Sequence, residues 1–426
     1  MNKNITFGEA LGFWLKLGFI SFGGPAGQIA IMHRVVVDEK KWIEESRFLH
    51  ALNFCVLLPG PEAQKLATYL GWLLHGTRGG LAAGILFVLP GALVMLGLSI
   101  LYAIGRGIPA VEGALFGIKA AVLVIVVEAL IRIGKRALKT NFLIGVAAAA
   151  FIGIFFLAIP FPLIVIAAAL TGFFVTRAPV GSPDEPMPGR WRHAALSIAT
   201  GLALWWIPVL AIVLVLGSGH VLTAVGLFFS KLAIVSFGGA YALLAYMAQE
   251  AVETHHWMSA PEMVDGLGLA ETTPGPLILV TQFVGFLAGF RDPAPFAPLG
   301  AGVAAAAITT WVTFVPPMML IFAGAPFVEQ LRSNQRLSGA LAAITAAVVG
   351  VILNLTVWFA LHVLFGKVSE VQAGPLRWYA FDPLALDLKV AALALLAAVL
   401  AFGLKRSLVE LVLVMAALGV ALRLLF

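Results

Sequence analysis

The sequence has little charge and few groups suited to catalysis. Only 11% of its 426 residues are Asp, Glu, Lys or Arg, and Cys55 is its single cysteine, which excludes an internal disulfide. It also lacks CxxC pairs, an HExxH sequence, histidines at metal-ligand spacing and a GxxxxGK phosphate-binding loop. We therefore expect no bound metal, no cofactor and no nucleotide-driven step.

Hydrophobic residues, in contrast, make up 61% of the chain, a fraction that excludes a soluble globular domain of this length. Apolar runs of about 18 or more residues recur, and each is long enough to cross a hydrocarbon core of about 30 Å. Their continuity predicts helices rather than barrel strands. The fold class is therefore an all-α polytopic membrane protein in a lipid bilayer. We assign its net charge of +6 to basic loops and expect no nucleic-acid partner.

The chain is duplicated. FWLKLGFISFGG, from Phe13, aligns without a gap with FFSKLAIVSFGG, from Phe228, 215 positions later. The same register places the Pro-Gly-Pro that starts at Pro59 over the one that starts at Pro274. Two long homologous repeats are typical of a secondary transporter.

The segment count predicts how the two repeats are oriented. We predict a first repeat over 1–176, a polar cytoplasmic linker over 177–192, an extra membrane segment over 193–216 and a second repeat over 217–426. Six segments lie on each side of the extra one, so corresponding segments are seven apart and the repeats should have opposite orientations. The linker and the basic loop 132–139 are cytoplasmic by the positive-inside rule, which also places the N-terminus in the cytoplasm. No removable signal peptide is expected, because the first segment contains a lysine and lacks a cleavage signature.

One loop does not fit this simple count. The basic residues of loop 32–47, among them Arg34 and Arg47, would lie outside if the segment near 10–31 crossed the membrane fully. The corresponding loop, 249–262, has no Lys or Arg at all. Both facts fit if the first two segments of each repeat are re-entrant hairpins or broken helices. The alternative is ordinary crossing, with one loop that violates the charge rule.

The Pro-Gly-Pro and Ser-Phe-Gly-Gly motifs suit the breaks that such segments need. Proline ends one helix and is well placed to start another, so Pro61 and Pro276 are predicted to begin helices inside the membrane. A helix start presents unpaired N–H groups and a positive dipole, and an anion is a natural partner. The glycines permit turns whose amides form an anion-binding nest. Each motif alone is explained equally by a kink or a close helix crossing; their duplication favours a paired anion site near the midplane.

Charged residues inside apolar segments add further candidates. Lys16 and Lys231 occupy the same place in both repeats, where they either attract the substrate or extend to the membrane interface. Lys119 lies centrally in GIKAAVLVIVVEAL and is a candidate for substrate binding or coupling. Glu128 is a candidate of the same kind or a helix-end carboxylate. Lys65 follows the first Pro-Gly-Pro by one turn, where a local salt bridge competes with an anion role.

Two sets of candidate residues follow. The predicted substrate-binding residues are Lys16, Ser21, Gly23, Gly24, Pro59, Gly60, Pro61, Glu62, Lys119, Lys231, Ser236, Gly238, Gly239, Thr273, Pro274, Gly275 and Pro276. The predicted coupling or gating residues are Arg34, Arg47, Lys65, Glu128 and Glu271.

These motifs resemble the two-domain chromate ion transporter family. The resemblance rests on FWLKLG leading into ISFGGP, on LLPGPEAQ with LATYLGW, and on the weaker second SFGG and TTPGP. It implies export of chromate across a bacterial or archaeal inner membrane, chromate resistance, and sulfate as a related or competing oxyanion. It also implies functional roles for the SFGG, Pro-Gly-Pro and loop-arginine positions of the first domain.

The combined prediction is a secondary transporter of inverted repeats that holds a tetrahedral oxyanion between broken helices. A homodimer is compatible with it. The nearer alternative is sulfate uptake or anion exchange on the same scaffold. The distant alternative is an intramembrane enzyme, which is disfavoured because the sequence has no cofactor motif and its ionisable residues in apolar segments are mainly lysines.

Overall fold

The computed structural model describes residues 5–22, 24–105, 107–176, 190–237, 240–327 and 335–425. Within these residues the chain forms sixteen α-helices and one two-stranded sheet. Six of the helices, named α4, α5, α8, α13, α14 and α16 below, are long and apolar enough to cross a membrane. The prediction of a helical, multi-pass membrane protein is confirmed.

The first repeat and the extra segment form the first eight helices. These are α1 (Phe7–Ile20), α2 (Gly24–His33), α3 (Glu45–Leu57), α4 (Glu62–Ile104), α5 (Pro109–Ala137), α6 (Asn141–Leu157), α7 (Phe161–Val175) and α8 (Arg190–Leu216). A π-helical turn, Arg34–Glu39, extends α2. The predicted linker lies outside the described residues up to position 189, and α8 contains the whole of the predicted extra segment.

The second repeat forms the remaining elements. These are α9 (Val221–Ile234), α10 (Ala240–Gln249), α11 (Ala260–Thr272), α12 (Val280–Arg291), α13 (Pro298–Gly324), α14 (Gln335–Leu364), β1 (Val368–Ala373), β2 (Leu376–Phe381), α15 (Leu388–Ala398) and α16 (Leu408–Leu425). A π-helical turn, Glu250–Thr254, extends α10 as its counterpart extends α2. The antiparallel hairpin of β1 and β2 has no counterpart among the described residues of the first repeat and was not predicted.

The repeat extends to the backbone of individual residues. Lys41 and its counterpart His256 are both left-handed, with φ of 50° and 52°, although neither is glycine. Ala158 and Lys405, in the turns before the last helix of each repeat, both have φ of 51°. Local geometry that L-residues rarely adopt is thus preserved in both copies.

The motifs break the helices where the sequence predicted. At 1.5 Å per residue, the 14 residues of α1 span about 21 Å, which is less than the hydrocarbon core. The 13 residues of α3 end just before the first Pro-Gly-Pro and are shorter still. In the second repeat α9 and α11 have 14 and 13 residues and end at the equivalent places. The segments predicted near 10–31 and 47–75 are therefore broken helices.

The element α4 is a helical hairpin rather than one long rod. His75 and Gly76 have non-helical backbone angles and turn the chain back on itself. Gly71 and Gly79 face each other across this turn, and a Cβ on either one would overlap the backbone of the other. In the second repeat α12 and α13 correspond to the two parts of α4, with a longer connection between them.

The chain divides into two compact units that do not coincide with the two repeats. Unit 1 contains residues 1–100, 178–239 and 273–335, and unit 2 contains residues 101–177, 240–272 and 336–426. Each unit therefore combines pieces of both repeats. The candidate site residues around the two Pro-Gly-Pro motifs belong to unit 1.

Unit 1 shows that the repeats are inverted. A Cβ on Gly80 of α4 would lie 2.7 Å from Phe322 of α13, and one on Gly84 would lie 2.8 Å from Met318. Ascending positions on α4 thus meet descending positions on α13, so these corresponding helices are antiparallel. A twofold axis that relates antiparallel helices is perpendicular to both, and therefore lies in the plane of the membrane they cross. The predicted inverted-topology repeat is confirmed.

Candidate functional site

The two motifs of each repeat are connected to those of the other repeat in unit 1. The backbone N–H of Gly60 donates to the carbonyl oxygen of Ser236 at 2.8 Å. The backbone N–H of Gly275 donates to the carbonyl oxygen of Ser21, also at 2.8 Å. Each Pro-Gly-Pro loop is therefore held by the serine of the other repeat, as expected of a twofold arrangement.

These contacts require glycine at both positions. Gly60 has φ of 108° and Gly275 has φ of 90°, values that strain any residue with a Cβ. A Cβ on Gly60 would also overlap the ring of Pro317. A Cβ on Gly275 would lie 3.5 Å from the carbonyl oxygen of Phe87, which is ordinary contact. The first loop is thus the more tightly enclosed of the two.

Both loops lie at the same level of α4. A Cβ on Gly84 would lie 2.5 Å from the hydroxyl of Thr68, which fixes the register between the two parts of the α4 hairpin. Continuing that register toward the start of α4 brings Gln64 level with Phe87. Because Gly275 packs beside Phe87, the start of α4 and the second Pro-Gly-Pro loop are at the same depth.

Gln28 of α2 stabilises the contact between Ser21 and Gly275. It was not identified as a candidate from the sequence. Its side chain is 1% exposed, and its Nε2 donates to the carbonyl oxygens of Gly275 at 2.6 Å and Ser21 at 3.2 Å. The signal was a single amide in the otherwise apolar stretch GPAGQIAIMH. One buried amide thereby joins the serine of the first repeat to the glycine of the second.

The first turn of α4 carries two buried polar side chains, Gln64 and Lys65. Lys65 is 1% exposed, and its Nζ donates to the carbonyl oxygen of Leu58, the residue that follows α3. Gln64 is fully buried, and neither end of its amide has a hydrogen-bond partner among the described residues. The hydroxyl of Ser21 is likewise buried without a partner there. Buried polar groups are normally hydrogen-bonded, so these atoms mark an unusual environment.

The equivalent turn of the second repeat is apolar. Its 3₁₀ turn is Leu277–Leu279, which is buried throughout, and Val280 stands where the first repeat has Lys65. The two repeats therefore share a backbone arrangement but not its chemistry. Of the two helix starts, only the first has a buried lysine among the described residues.

The remaining motif residues lie around these loops. Pro59, Pro61 and Glu62 are half-buried, as is Gly24, which begins α2 with φ of 73°. Thr273, Pro274 and Pro276 are buried. Three of the predicted binding residues, Gly23, Gly238 and Gly239, lie outside the described residues.

Lys119 belongs to a different cluster, in unit 2. Its Nζ lies 3.4 Å from one carboxylate oxygen of Asp265, and the hydroxyl of Tyr102 donates to the other at 2.9 Å. Asp265 is 3% exposed. Sequence reasoning missed it, although a carboxylate within the apolar stretch MVDGLGLA was a readable signal.

The two predicted coupling carboxylates are also in unit 2, each with its own partner. Glu271 is buried, and the hydroxyl of Tyr241 donates to it at 2.8 Å. Glu128 is half-buried and forms a salt bridge of 3.6 Å with Arg132, one turn later on α5. These two carboxylates and the Pro-Gly-Pro loops therefore belong to different compact units.

The predicted lysines and arginines of the first helices are at the surface. Lys16 and Lys231 are exposed on α1 and α9. Arg34 is exposed beside Glu39, at 3.5 Å. Arg47 helps to line an open cavity of about 610 Å³ formed by residues 37–47.

The same region of unit 1 has a cluster of potential metal ligands. His33 lies 2.5 Å from Glu45 and 3.4 Å from Asp38. Both carboxylates are exposed and already contact the imidazole. This surface ion-pair cluster does not require a metal.

Comparison with known proteins places these motifs in one family. The chromate transporter family model matches residues 8–173 and 223–422. The chromate transport protein of Pseudomonas aeruginosa is 33% identical over 385 residues, which cover 87% of this chain and 85% of that protein. The probable chromate transport protein of Synechococcus elongatus is 28% identical over 347 residues, 81% of this chain and 82% of that protein. No solved structure matches the chain.

Proposed function

The chain belongs to the chromate transporter family, and we propose that it exports chromate from the cytoplasm across the inner membrane and so confers chromate resistance. The names of two relatives, each described as a chromate transport protein or a probable one, support chromate as the substrate. Alternating access would exploit the opposite orientations of the two repeats around a fixed central site.

The observation that carries this proposal is the reciprocal pair of hydrogen bonds between the Pro-Gly-Pro and serine motifs. They hold two breaks in membrane helices at one depth, beside the axis that relates the inverted repeats. Binding sites of secondary transporters are built from such broken helices, with anions at helix N-termini. Lys65 supplies a buried positive charge beside the first break.

The other candidate residues have proposed roles around this centre. Ser21 and Ser236 position the loops, and the amides of both Ser-Phe-Gly-Gly motifs contribute donors. Lys16 and Lys231, which are exposed, attract the anion toward the protein. Lys119, Glu128 and Glu271, in unit 2, act in coupling, and Arg34 and Arg47 act in gating at the cytoplasmic surface, where the N-terminus also lies.

The membrane potential favours export. Each negative charge that leaves a negative interior gains about 2.3 kcal/mol per 100 mV. Fully deprotonated chromate therefore gains about 4.6 kcal/mol, or roughly three decades in concentration ratio, and singly protonated chromate gains about half of that energy. Uptake of the same ion would require cotransport of several protons.

Flux measurements in everted membrane vesicles test direction and driving force together. Radiolabelled chromate and sulfate would be offered with the membrane potential imposed and then collapsed. We expect chromate to accumulate inside everted vesicles only under an interior-positive potential. Chromate flux that stays at background under both a potential and a pH gradient would refute export. Sulfate flux that exceeds chromate flux would favour the alternative of sulfate uptake or anion exchange.

Two glycine variants make this assay specific to the first Pro-Gly-Pro loop. Gly60→Ala disturbs that loop and serves as the test variant. Gly217→Ala is its matched control, because it introduces the same methyl group at a turn with φ of 90° and open space around it. We expect Gly217→Ala vesicles to transport like the wild type and Gly60→Ala vesicles to lose the potential-dependent flux.

A further inference from the structure

The amide of Gln64 is the least explained polar group of unit 1. Its side chain is fully buried, with a relative solvent exposure of 0%. Neither its N–H donors nor its carbonyl acceptor is used by any of the described residues. Leaving a buried donor or acceptor unpaired costs about 1–3 kcal/mol each, so such a group needs a reason.

Helix capping does not supply that reason. A glutamine at the third position of a helix ordinarily reaches back to the backbone N–H of the residue that caps it. Here α4 begins at Glu62, so the capping residue is Pro61, whose nitrogen carries no hydrogen. The usual partner of the Gln64 carbonyl is therefore absent for a chemical reason.

Helix geometry predicts that the Gln64 side chain is directed at the start of the helix. Cβ atoms of an α-helix tilt toward the N-terminus, so Gln64 points back over the first turn, where the unpaired N–H groups of α4 lie. Lys65, on the same turn, adds a buried positive charge whose hydrogen bond goes to a neutral carbonyl. An anion at this place would meet helix N–H groups, an ammonium and one carboxamide.

A carboxamide offers one kind of selectivity that these positive groups lack. Its NH₂ donates and its carbonyl accepts, so it complements a ligand that has both an anionic oxygen and a hydroxyl group. Chromate takes up a proton near neutral pH and then carries such a hydroxyl, whereas sulfate does so only in strong acid. A fully deprotonated oxyanion would leave the Gln64 carbonyl unpaired and facing negative oxygens.

We propose that Gln64 makes the start of α4 a site for the singly protonated oxyanion, hydrogen chromate, and that this amide discriminates chromate from sulfate. The Nε2 group donates to a chromate oxygen, and the Oε1 atom accepts from the chromate hydroxyl. The inference rests on the proposed function, because it assigns the substrate form bound at the same site. It also assigns one site rather than two, since Leu279 replaces Gln64 in the second repeat.

The test measures binding of radiolabelled chromate and sulfate to the purified full-length protein by equilibrium dialysis, at mildly acidic and mildly alkaline pH and micromolar ligand. The titratable neighbours of this turn are Glu62, Lys65 and Cys55. The Gln64→Met variant retains all three, so any effect of these neighbours on the preference remains in that variant. In the wild type, the preference for chromate over sulfate should be at least about tenfold greater at the acidic pH than at the alkaline pH.

Two variants make the test specific. Gln64→Met keeps the size of the side chain and removes both hydrogen-bonding groups, so the preference for chromate should fall by about tenfold or more and lose its pH dependence. Gln372→Met makes the same exchange at an exposed position of β1 and should leave both unchanged. Because the ratio of two ligands is measured on one sample, partial unfolding of a variant does not affect the comparison.

The outcomes separate this inference from the proposed function. A wild type that binds chromate with no change in preference between the two pH values, or a Gln64→Met variant that retains that change, would overturn the role of Gln64 while leaving chromate transport in place. A wild type that binds neither ligand and shows no chromate flux would overturn both.

Discussion

Lys119 of α5 lies 3.4 Å from Asp265 of α11, and this relationship changes the interpretation of the most central lysine in the sequence. The carboxylate has 5% of its side chain exposed, and Tyr102 donates to its second oxygen. An isolated lysine inside a membrane segment would attract an anion. A lysine that neutralises a buried carboxylate has a structural task as well.

Lys119→Met is therefore expected to destabilise unit 2. Removing one partner leaves Asp265 buried without its counter-charge, which costs about 3–5 kcal/mol. The double variant Lys119→Met/Asp265→Leu should regain much of that loss, because no buried charge remains. Thermal unfolding in detergent and abundance in the membrane measure both effects. A Lys119→Met protein of normal stability that has lost chromate flux would instead show that the lysine acts on the substrate.

Alanine at the glycines of left-handed turns should give a graded series. Gly60→Ala, Gly275→Ala and Gly217→Ala all place a Cβ at φ of 90–108°, a strain of about 1–2 kcal/mol. Only at Gly60 does the Cβ also overlap a proline ring, which adds about 1–3 kcal/mol. We expect thermal stability to fall most for Gly60→Ala and about equally for the other two. Equal loss in all three would contradict the crowding of the first loop.

The lysines should differ according to their burial. Lys65→Met removes a buried charge at the end of α3, and we expect it to abolish chromate flux. Lys16→Ala and Lys231→Ala remove exposed charges worth up to about 1 kcal/mol each, so flux should stay within about fivefold of the wild type. Each variant is assayed for chromate resistance and flux at matched abundance. Full activity of Lys65→Met would leave backbone amides as the main ligands.

Arg377 should anchor the β-hairpin of unit 2. It is 4% exposed, donates to the carbonyl oxygen of Ile154 at 2.8 Å and lies 3.4 Å from Glu253. Arg377→Met removes the donor to that carbonyl and the counter-charge of Glu253, which keeps its hydrogen bond from Tyr379, at a cost of about 3–5 kcal/mol. Limited proteolysis should then cut the hairpin, while Lys389→Met, at an exposed position, should remain as resistant as the wild type. An uncut Arg377→Met protein would mean that strand packing alone holds the hairpin.

The backbone of the site could be predicted from the sequence because it is duplicated. A single Pro-Gly-Pro permits a kink or a helix break equally, but two in one register, an odd number of segments apart, require an inverted pair. The helix breaks at both Ser-Phe-Gly-Gly motifs followed from the same argument. The loop charges predict the side of the membrane from which each pair of broken segments enters, and this stays a prediction.

The partners of individual side chains could not be predicted in this way. Gln28 bonds to Gly275, and Lys119 pairs with Asp265, across more than a hundred residues of chain. Their pairing depends on the packing of helices that sequence periodicity does not specify. The hairpin had a local signal, the alternation in RWYAF after a Gly-Pro turn, which a search for long apolar runs overlooks.

The exchange of hydrogen bonds between the repeats has a consequence for biosynthesis. Gly275 leaves the ribosome roughly 250 residues after Ser21, which at about 5–20 residues per second is a delay of about 10–50 s. During that interval the first repeat is inserted with its serine carbonyl and its Gly60 N–H still lacking the groups they bind in the finished protein. The nascent half must therefore be sheltered from lipid by water, by the insertion machinery or by a second chain until its other half arrives.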